Sequence, residues 1–301
     1  MAGSSCENVP CETIPCETVE PRPRARLLPV PIKGAKRTIV ILSLALASCQ
    51  GSVTPIKPST EVVALRFLAD STTSPLLRDL ANAYHPPRLL ITWDLQVGTG
   101  RTVLDWLKTA EAPYAMLDYV PARFDSSLWT TPVAQDGIAI VVHPLNPIAN
   151  LTAAQLRAIL QGQITNWQTL GGANLALTVV VSDEGSSASA IVQSIVLDDR
   201  RMTRAARLAT TDQAVIEIVG SDPGAIGYVS MGYLDNHVKA VSLEGIALTP
   251  DSVTTHQYPI AAPIVFAGLK EPASGAYRDF FAWVQSPEGQ TIVRQHYGAL
   301  P

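Results

Sequence analysis

From residue 62 onward, short apolar runs and amphipathic stretches alternate along this chain of 301 residues. That alternation limits the fold more than any other feature. Residues 62–69 (VVALRFLA) read as a buried strand, and 74–84 as the helix after it, with Leu76, Leu77, Leu80 and Ala83 at helical spacing. Residues 89–96 read as a second strand and 101–109 as a second helix, with Val103, Leu104 and Leu107 on one side. Residues 137–143 (GIAIVVH) form a further apolar strand, bounded by Asp136-Gly137 and Pro144. Thr152 then reads as an N-cap with Gln155 at the capping-box position, opening a helix over 152–160. A strand over 177–181, a helix over 186–197 and a short helix over 215–219 follow, before the Asp222-Pro223-Gly224 turn. Strand alternating with helix predicts an α/β fold of mostly parallel sheets with helices on both faces. Ligands of such folds sit at the carboxyl ends of strands, where loops lead into helix N-termini.

Composition narrows the function. The net charge of −4 carries no basic excess, which argues against nucleic acid as a partner. All four cysteines (Cys6, Cys11, Cys16 and Cys49) lie in the first fifth of the chain, so neither disulfides nor thiolate metal ligands are expected beyond Cys49. The histidines His85, His143, His237, His256 and His296 are scattered, and neither G-x-S-x-G nor H-E-x-x-H occurs. No enzymatic activity, metal or cofactor is therefore expected. The five tryptophans read as packing residues, and Arg200, Arg201, Arg204 and Arg207 as a solvated helix face.

The front of the chain reads as leader rather than fold. Residues 6–20 repeat C-E-x-x-P nearly three times, a low-complexity stretch favoured over a zinc site because no histidine accompanies it. Initiation near Leu28 or Val30 is an alternative start. Lys33, Lys36 and Arg37 form a positive n-region that closes residues 1–37, and 38–47 (TIVILSLALA) form an apolar h-region. That run is far short of the ~20 residues a helix needs to span a bilayer. It ends in Leu46-Ala47-Ser48-Cys49, which resembles a bacterial lipobox with Cys49 as the lipidated residue. Removing 1–48 leaves 16 basic and 22 acidic side chains, net −6. Residues 49–61 then serve as a Pro/Ser/Thr-rich tether from the membrane.

Residues 136–172 (DGIAIVVHPLNPIANLTAAQLRAILQGQITNWQTLGG) resemble the phosphate-binding-protein family, the receptors of phosphate ABC importers. The resemblance rests on Asn146-Pro147, on the L-T-x-x-Q-L-x-x-I pattern over 151–159, and on G-x-I-T-N-W over 162–167. PGAIGYVS (223–230), Tyr258-Pro259-Ile260, SPEGQ (286–290) and Tyr297-Gly298 extend it to the end of the chain. It implies a two-lobed type II periplasmic-binding-protein fold, with one lobe over 62–140 plus 255–301 and the other over 141–254. It further implies an extracytoplasmic, monomeric solute-binding lipoprotein that closes on a small oxyanion, phosphate first among them, and delivers it to an ABC permease. A lipoprotein sensor or adhesin of the same fold, with a different ligand or no tight one, is the alternative.

The family's anion loops map onto three segments. Asp70-Ser71-Thr72-Thr73-Ser74-Pro75 resembles G-S-T-T-x-x-P and offers Ser71, Thr72 and Thr73. Val97-Gly98-Thr99-Gly100-Arg101 resembles G-S-G-x-G and offers Gly98, Thr99 and Arg101. Residues 182–188 stand against R-x-x-G-S-G-T and keep Ser186 and Ser187, with Ser182 in place of the arginine and Ala188 in place of the threonine. Asp118 falls where the family often has an aspartate that accepts a proton from hydrogen phosphate, although the preceding Asp-Ile-Gly is Pro113-Tyr114-Ala115 here. The two replacements leave the ligand open between phosphate and another oxyanion.

Overall fold

The computed structural model describes residues 61–118, 128–183 and 185–300. The chain divides into Met1–Pro55 and Ile56–Pro301. The first unit, which holds the leader and Cys49, lies outside the described residues, as does the rest of the tether to residue 60. Among the described residues no helix is long and apolar enough to cross a membrane.

The second unit opens with β1 (Glu61–Asp70), α1 (Ser74–Ala83) and β2 (Leu89–Gly98). β1 and β2 pair in parallel from Glu61↔Leu89 to Asp70↔Gly98, which ends both strands at the same edge. α2 (Gly100–Lys108) follows β2, and β3 (Tyr114–Leu117) returns on the other side of β1, again parallel. Then comes β4 (Trp129–Val142), the longest strand of the fold.

β5 (Asn150–Leu151), α3 (Ala153–Leu160), β6 (Thr178–Ser182), α4 (Ser187–Ile195), β7 (Arg207–Ala209), α5 (Asp212–Ser221), β8 (Ala225–Ser230), β9 (Lys239–Leu243) and α6 (Pro250–Thr254) build the second lobe. The chain returns through β10 (Ala261–Gly268) and ends on α7 (Ala276–Val284) and α8 (Pro287–Val293). The main path of the sheet is β2-β1-β3-β10-β4-β8-β6-β7. The outer pairs are parallel, as crossover helices require. The central pairs β3–β10, β10–β4 and β4–β8 are antiparallel, because β10 and β4 carry the chain between the lobes in opposite senses.

β4 belongs to both lobes. Its residues 129–137 pair with β10, and Ile138–Val142 pair with β8. The expected strand boundary at Asp136-Gly137 is thus mid-strand. Glycine is there because a Cβ would run into Leu248 and Val253, not because the chain turns. The ladder with β10 skips Val133, beside Pro132, which has no N–H to pair. The carbonyl of Val133 instead accepts from Gln290 Nε2 at 3.0 Å, so α8 satisfies the bulge.

Local signals explain the helices. Thr152 Oγ1 accepts from Gln155 N at 3.1 Å and Gln155 Oε1 from Thr152 N at 2.8 Å, the expected capping box. Phe67, Phe266, Phe280 and Phe281 pack with Tyr84 and Trp93 in the core of the first lobe. The arginines at 200, 201, 204 and 207 are exposed as expected, but the first three lie on an irregular stretch and Arg207 opens β7, so no helix carries them.

Trp167, 1% exposed, is the largest fully buried side chain, and its Nε1 donates to Gly224 O at 2.9 Å. It ties the I-T-N-W block to the turn before β8. Trp167→Ala should cost about 3–5 kcal/mol, read as a lower urea midpoint with an unchanged slope.

Candidate functional site

β1 ends in the sheet interior, and its last residue turns straight into α1. Asp70 is fully buried there. Its Oδ1 accepts from Thr73 N at 2.7 Å and from Thr73 Oγ1 at 2.8 Å. The Thr73 hydroxyl also lies 2.9 Å from Met116 O. Asp70 therefore supplies the side-chain acceptor at the start of α1, since Thr73, at the N-cap, caps nothing itself. Thr72 is buried beside it, and its Oγ1 has no hydrogen-bond partner. Ser71 is half-buried, and its carbonyl accepts from Tyr233 Oη of the second lobe at 2.6 Å.

The second lobe presents the first turn of α4. Ser186 is the N-cap, its Oγ accepting from Ser189 N at 3.1 Å, and is used up in holding the helix. Ser187 points the other way. Its Oγ donates to Asp70 Oδ2 at 2.9 Å, a contact between residues 117 positions apart. Gly100, at the start of α2, faces the same hydroxyl so closely that a Cβ would lie 2.8 Å from Ser187 Oγ. A side chain at position 100 would have to push the Ser187 hydroxyl aside. Thr99 caps α2 by accepting from Thr102 N at 3.3 Å, and a Cβ on Gly185 would lie 3.4 Å from its hydroxyl. Gly98 ends β2 opposite Asp70, and its carbonyl accepts from Ser71 N at 2.9 Å. The starts of α1, α2 and α4 thus meet in one place, with main-chain N–H groups in excess of carbonyls.

Four carboxyl groups gather behind this meeting point: Asp70, Asp118, Asp136 and Asp212, all buried. Asp118 follows β3 and has no hydrogen-bond partner on either oxygen. Burial first, then the charges of Asp70 and Asp136, hold it well above the usual carboxylate range. The nearby Ser187 hydroxyl pulls the other way, but it gives its hydrogen bond to Asp70. Asp136, in β4, is also raised well above that range, by burial and by Asp212, against the opposing pull of Ser230 and Met231 N. Asp212 opens α5 and is pushed up to about 6 by burial, although hydrogen bonds from Ser230 and Ser182 favour its charged form. Ser182 Oγ donates to Asp212 Oδ1 at 3.3 Å. The ion pairs among the described residues, Arg66–Asp94, Lys108–Asp105 and His237–Asp235, reach none of the four.

Of the residues expected from the sequence, Ser71, Thr72, Thr73, Gly98, Thr99, Asp118, Ser186 and Ser187 come together here. Arg101 is exposed on the first turn of α2, with no hydrogen bond or ion pair among the described residues. Sequence reasoning missed Asp136, Asp212, Tyr233 and the role of Asp70. The available signal was a lone aspartate at the edge of an apolar run, as in RFLAD or in QDGIAIVV.

Residues 57–288 match the PBP superfamily domain. The chain belongs to that superfamily. Among PBP-superfamily proteins it is 31% identical over 172 residues to the phosphate-binding protein PstS of Bacillus subtilis (strain 168). That match covers 56% of this chain and 56% of the relative, so it spans about half the length of each. PstS of Borreliella burgdorferi is 21% identical over 75% of this chain and 85% of its own. A Clostridium perfringens protein solved with bound phosphate, described as a phosphate ABC transporter substrate-binding protein, superposes with a TM-score of 0.74. It is 25% identical, over 79% of this chain and all of that one. An ABC-type phosphate transport receptor from Vibrio cholerae superposes at 0.65, also at 25% identity, with the same coverage. With these neighbours the chain shares the type II fold.

The buried carboxyl groups fix a pH dependence. A carboxyl whose pKa is higher folded than unfolded contributes stability that is fully present below its unfolded value and lost as pH rises through its folded one. For Asp212 that window runs from about 4, the ordinary value, to about 6. Thermal midpoints should therefore rise as pH falls from 7 to 5. Asp212→Asn should raise the midpoint at pH 7 by the equivalent of about 1–3 kcal/mol and give little gain at pH 4, checked by calorimetric melts in oxyanion-free buffer.

Proposed function

We propose that this chain is an extracytoplasmic solute-binding protein that takes a small oxyanion, phosphate in the first instance, between its two lobes and presents the closed form to an ABC permease. The observation that carries this reading is the meeting of three helix starts, with the buried hydroxyls of Thr72 and Ser187 and the buried carboxyl of Asp118, at one point of the cleft. A helix N-terminus favours an anion by ~0.3–1 kcal/mol when exposed and up to ~2 when partly buried. Three of them, with hydroxyl donors, make an anion cradle without a formal cation. Phosphate bound to the Clostridium perfringens relative supports the choice of ligand.

In this reading Ser71, Thr72, Thr73, Gly98, Thr99 and Ser187 contribute hydroxyl and main-chain donors, and Ser186 holds α4 in place. Asp118 shares one proton with the ligand, because a carboxyl held toward its protonated form donates as well as accepts. Binding, rather than turnover, is the chemistry such a cradle performs. One lobe spans about 62–140 with 255–301 and the other 141–254, hinged where β4 and the stretch before β10 pass between them. The lipobox-like Leu46-Ala47-Ser48-Cys49 supports anchoring through Cys49. The sensor or adhesin reading draws its support from the four buried carboxyl groups, which disfavour an anion.

Titration calorimetry of the full chain with phosphate, sulfate, molybdate and a phosphonate tests the reading. Phosphate should give saturable heat, and Asp118→Asn should weaken it by about tenfold, one hydrogen bond to a charged group. No heat with any of the four would sink the oxyanion reading.

A further inference from the structure

Asp70 stands at the position of the leading glycine in the G-S-T-T pattern that this loop otherwise follows. Glycine there brings no side chain into the cradle. Asp70 brings an anion. Its two oxygens accept from Thr73 N, Thr73 Oγ1 and Ser187 Oγ, at 2.7, 2.8 and 2.9 Å, and Asp118 N approaches Oδ2 at 3.4 Å. These donors come from α1, from α4 on the opposite lobe, and from the end of β3. They are donors of the kind that the preceding reading assigns to the solute.

We infer that the Asp70 carboxylate is the cleft's own anion: it occupies donors that an oxyanion needs, and through Ser187 it holds the two lobes together without any solute. The inference rests on the oxyanion reading for the identity of the competing ligand, but the latch itself rests only on the contact between Asp70 and Ser187.

Three observations fit together on this point. The bond from Ser187 to Asp70 is buried, where a charge-assisted hydrogen bond is not exchanged for water. The second interlobe bond, from Tyr233 Oη to Ser71 O, lies one residue away and acts in the same sense. Gly100 lies beside this contact, where a Cβ would come within 2.8 Å of the Ser187 hydroxyl. A solute entering the cleft must displace the carboxylate from Ser187 and accept its charge as a neighbour. Asp70 thereby sets the affinity and lowers it.

The test compares the full chain with Asp70→Gly, which restores the pattern residue, and with Ser187→Ala, which removes only the hydroxyl. In phosphate-free buffer, amide hydrogen exchange over 70–77 and 185–190 should be at least about tenfold faster in both variants than in the parent, the loss of one hydrogen bond to a charged group. Exchange in the β4–β8 ladder should stay unchanged, which reports an intact fold. In the parent, phosphate should slow exchange in these segments only slightly. In Asp70→Gly it should slow it strongly, and calorimetry should show phosphate bound about ten- to a hundredfold more tightly. Equal exchange in the parent and in a folded Ser187→Ala chain would overturn the latch, whatever becomes of Asp70→Gly. Faster exchange in both variants, with no phosphate heat in either the parent or Asp70→Gly, would keep the latch and overturn the phosphate reading instead.

Discussion

One strand has to satisfy hydrogen-bonding partners in two lobes. β4 gives residues 129–137 to β10 and Ile138–Val142 to β8, so its backbone is obligated on both sides of the lobe junction. A buried backbone group without a partner costs about as much as a lost hydrogen bond, so the strand cannot break at the junction. Any hinge motion must therefore be a twist or bend of a continuous strand. The skipped Val133, and the Gln290 side chain that takes up its carbonyl, show where the ladder yields locally. The tail reinforces this, since Gly298 and Gln135 exchange both main-chain hydrogen bonds at 2.7 and 2.9 Å.

That shared strand also places Asp136 at the junction, within electrostatic reach of Asp70 and Asp212. Buried carboxylates are tolerated when paired with cations or when protonated. The charges acting on Asp118, Asp136 and Asp212 are other carboxylates, so burial and mutual repulsion both raise them. The cluster thus sits behind the helix N-termini with no ion pair reaching it among the described residues. Toward an anion it presents donors first and negative charge behind them, a short-range attraction without a long-range one.

Much of the fold was legible because its signals were local. The capping box at Thr152 and Gln155, the apolar spacing of α1 and α2, and the hydroxyl-rich starts of α1 and α4 all act over four residues or fewer. β3 was not legible: four residues, all buried, carry no periodicity to read. The first half of β4 was not legible either, because WTTPVAQD alternates poorly and holds a proline, and its strand character comes from β10. Asp136-Gly137 reads as a turn, yet tertiary packing against Leu248 and Val253 sets the glycine there. The loops of the candidate site were found by their resemblance to a known pattern. What Asp70 does was hidden, since its partner Ser187 lies 117 positions away.

The departures from the family pattern at Ser182 and Asp70 belong together physically. An arginine at 182 would bring a cation next to Asp212, whose one side-chain donor among the described residues is the serine hydroxyl. Without that cation, an oxyanion dianion has less to hold it across the cleft, and closure driven by ligand alone weakens. A carboxylate attached to β1 meets the same donors at no cost in translational entropy, because it is already part of the chain. Asp70 can therefore close the lobes where a free anion would close them poorly. The loss of the arginine makes an internal anion effective, and the internal anion in turn makes a strong external one harder to admit.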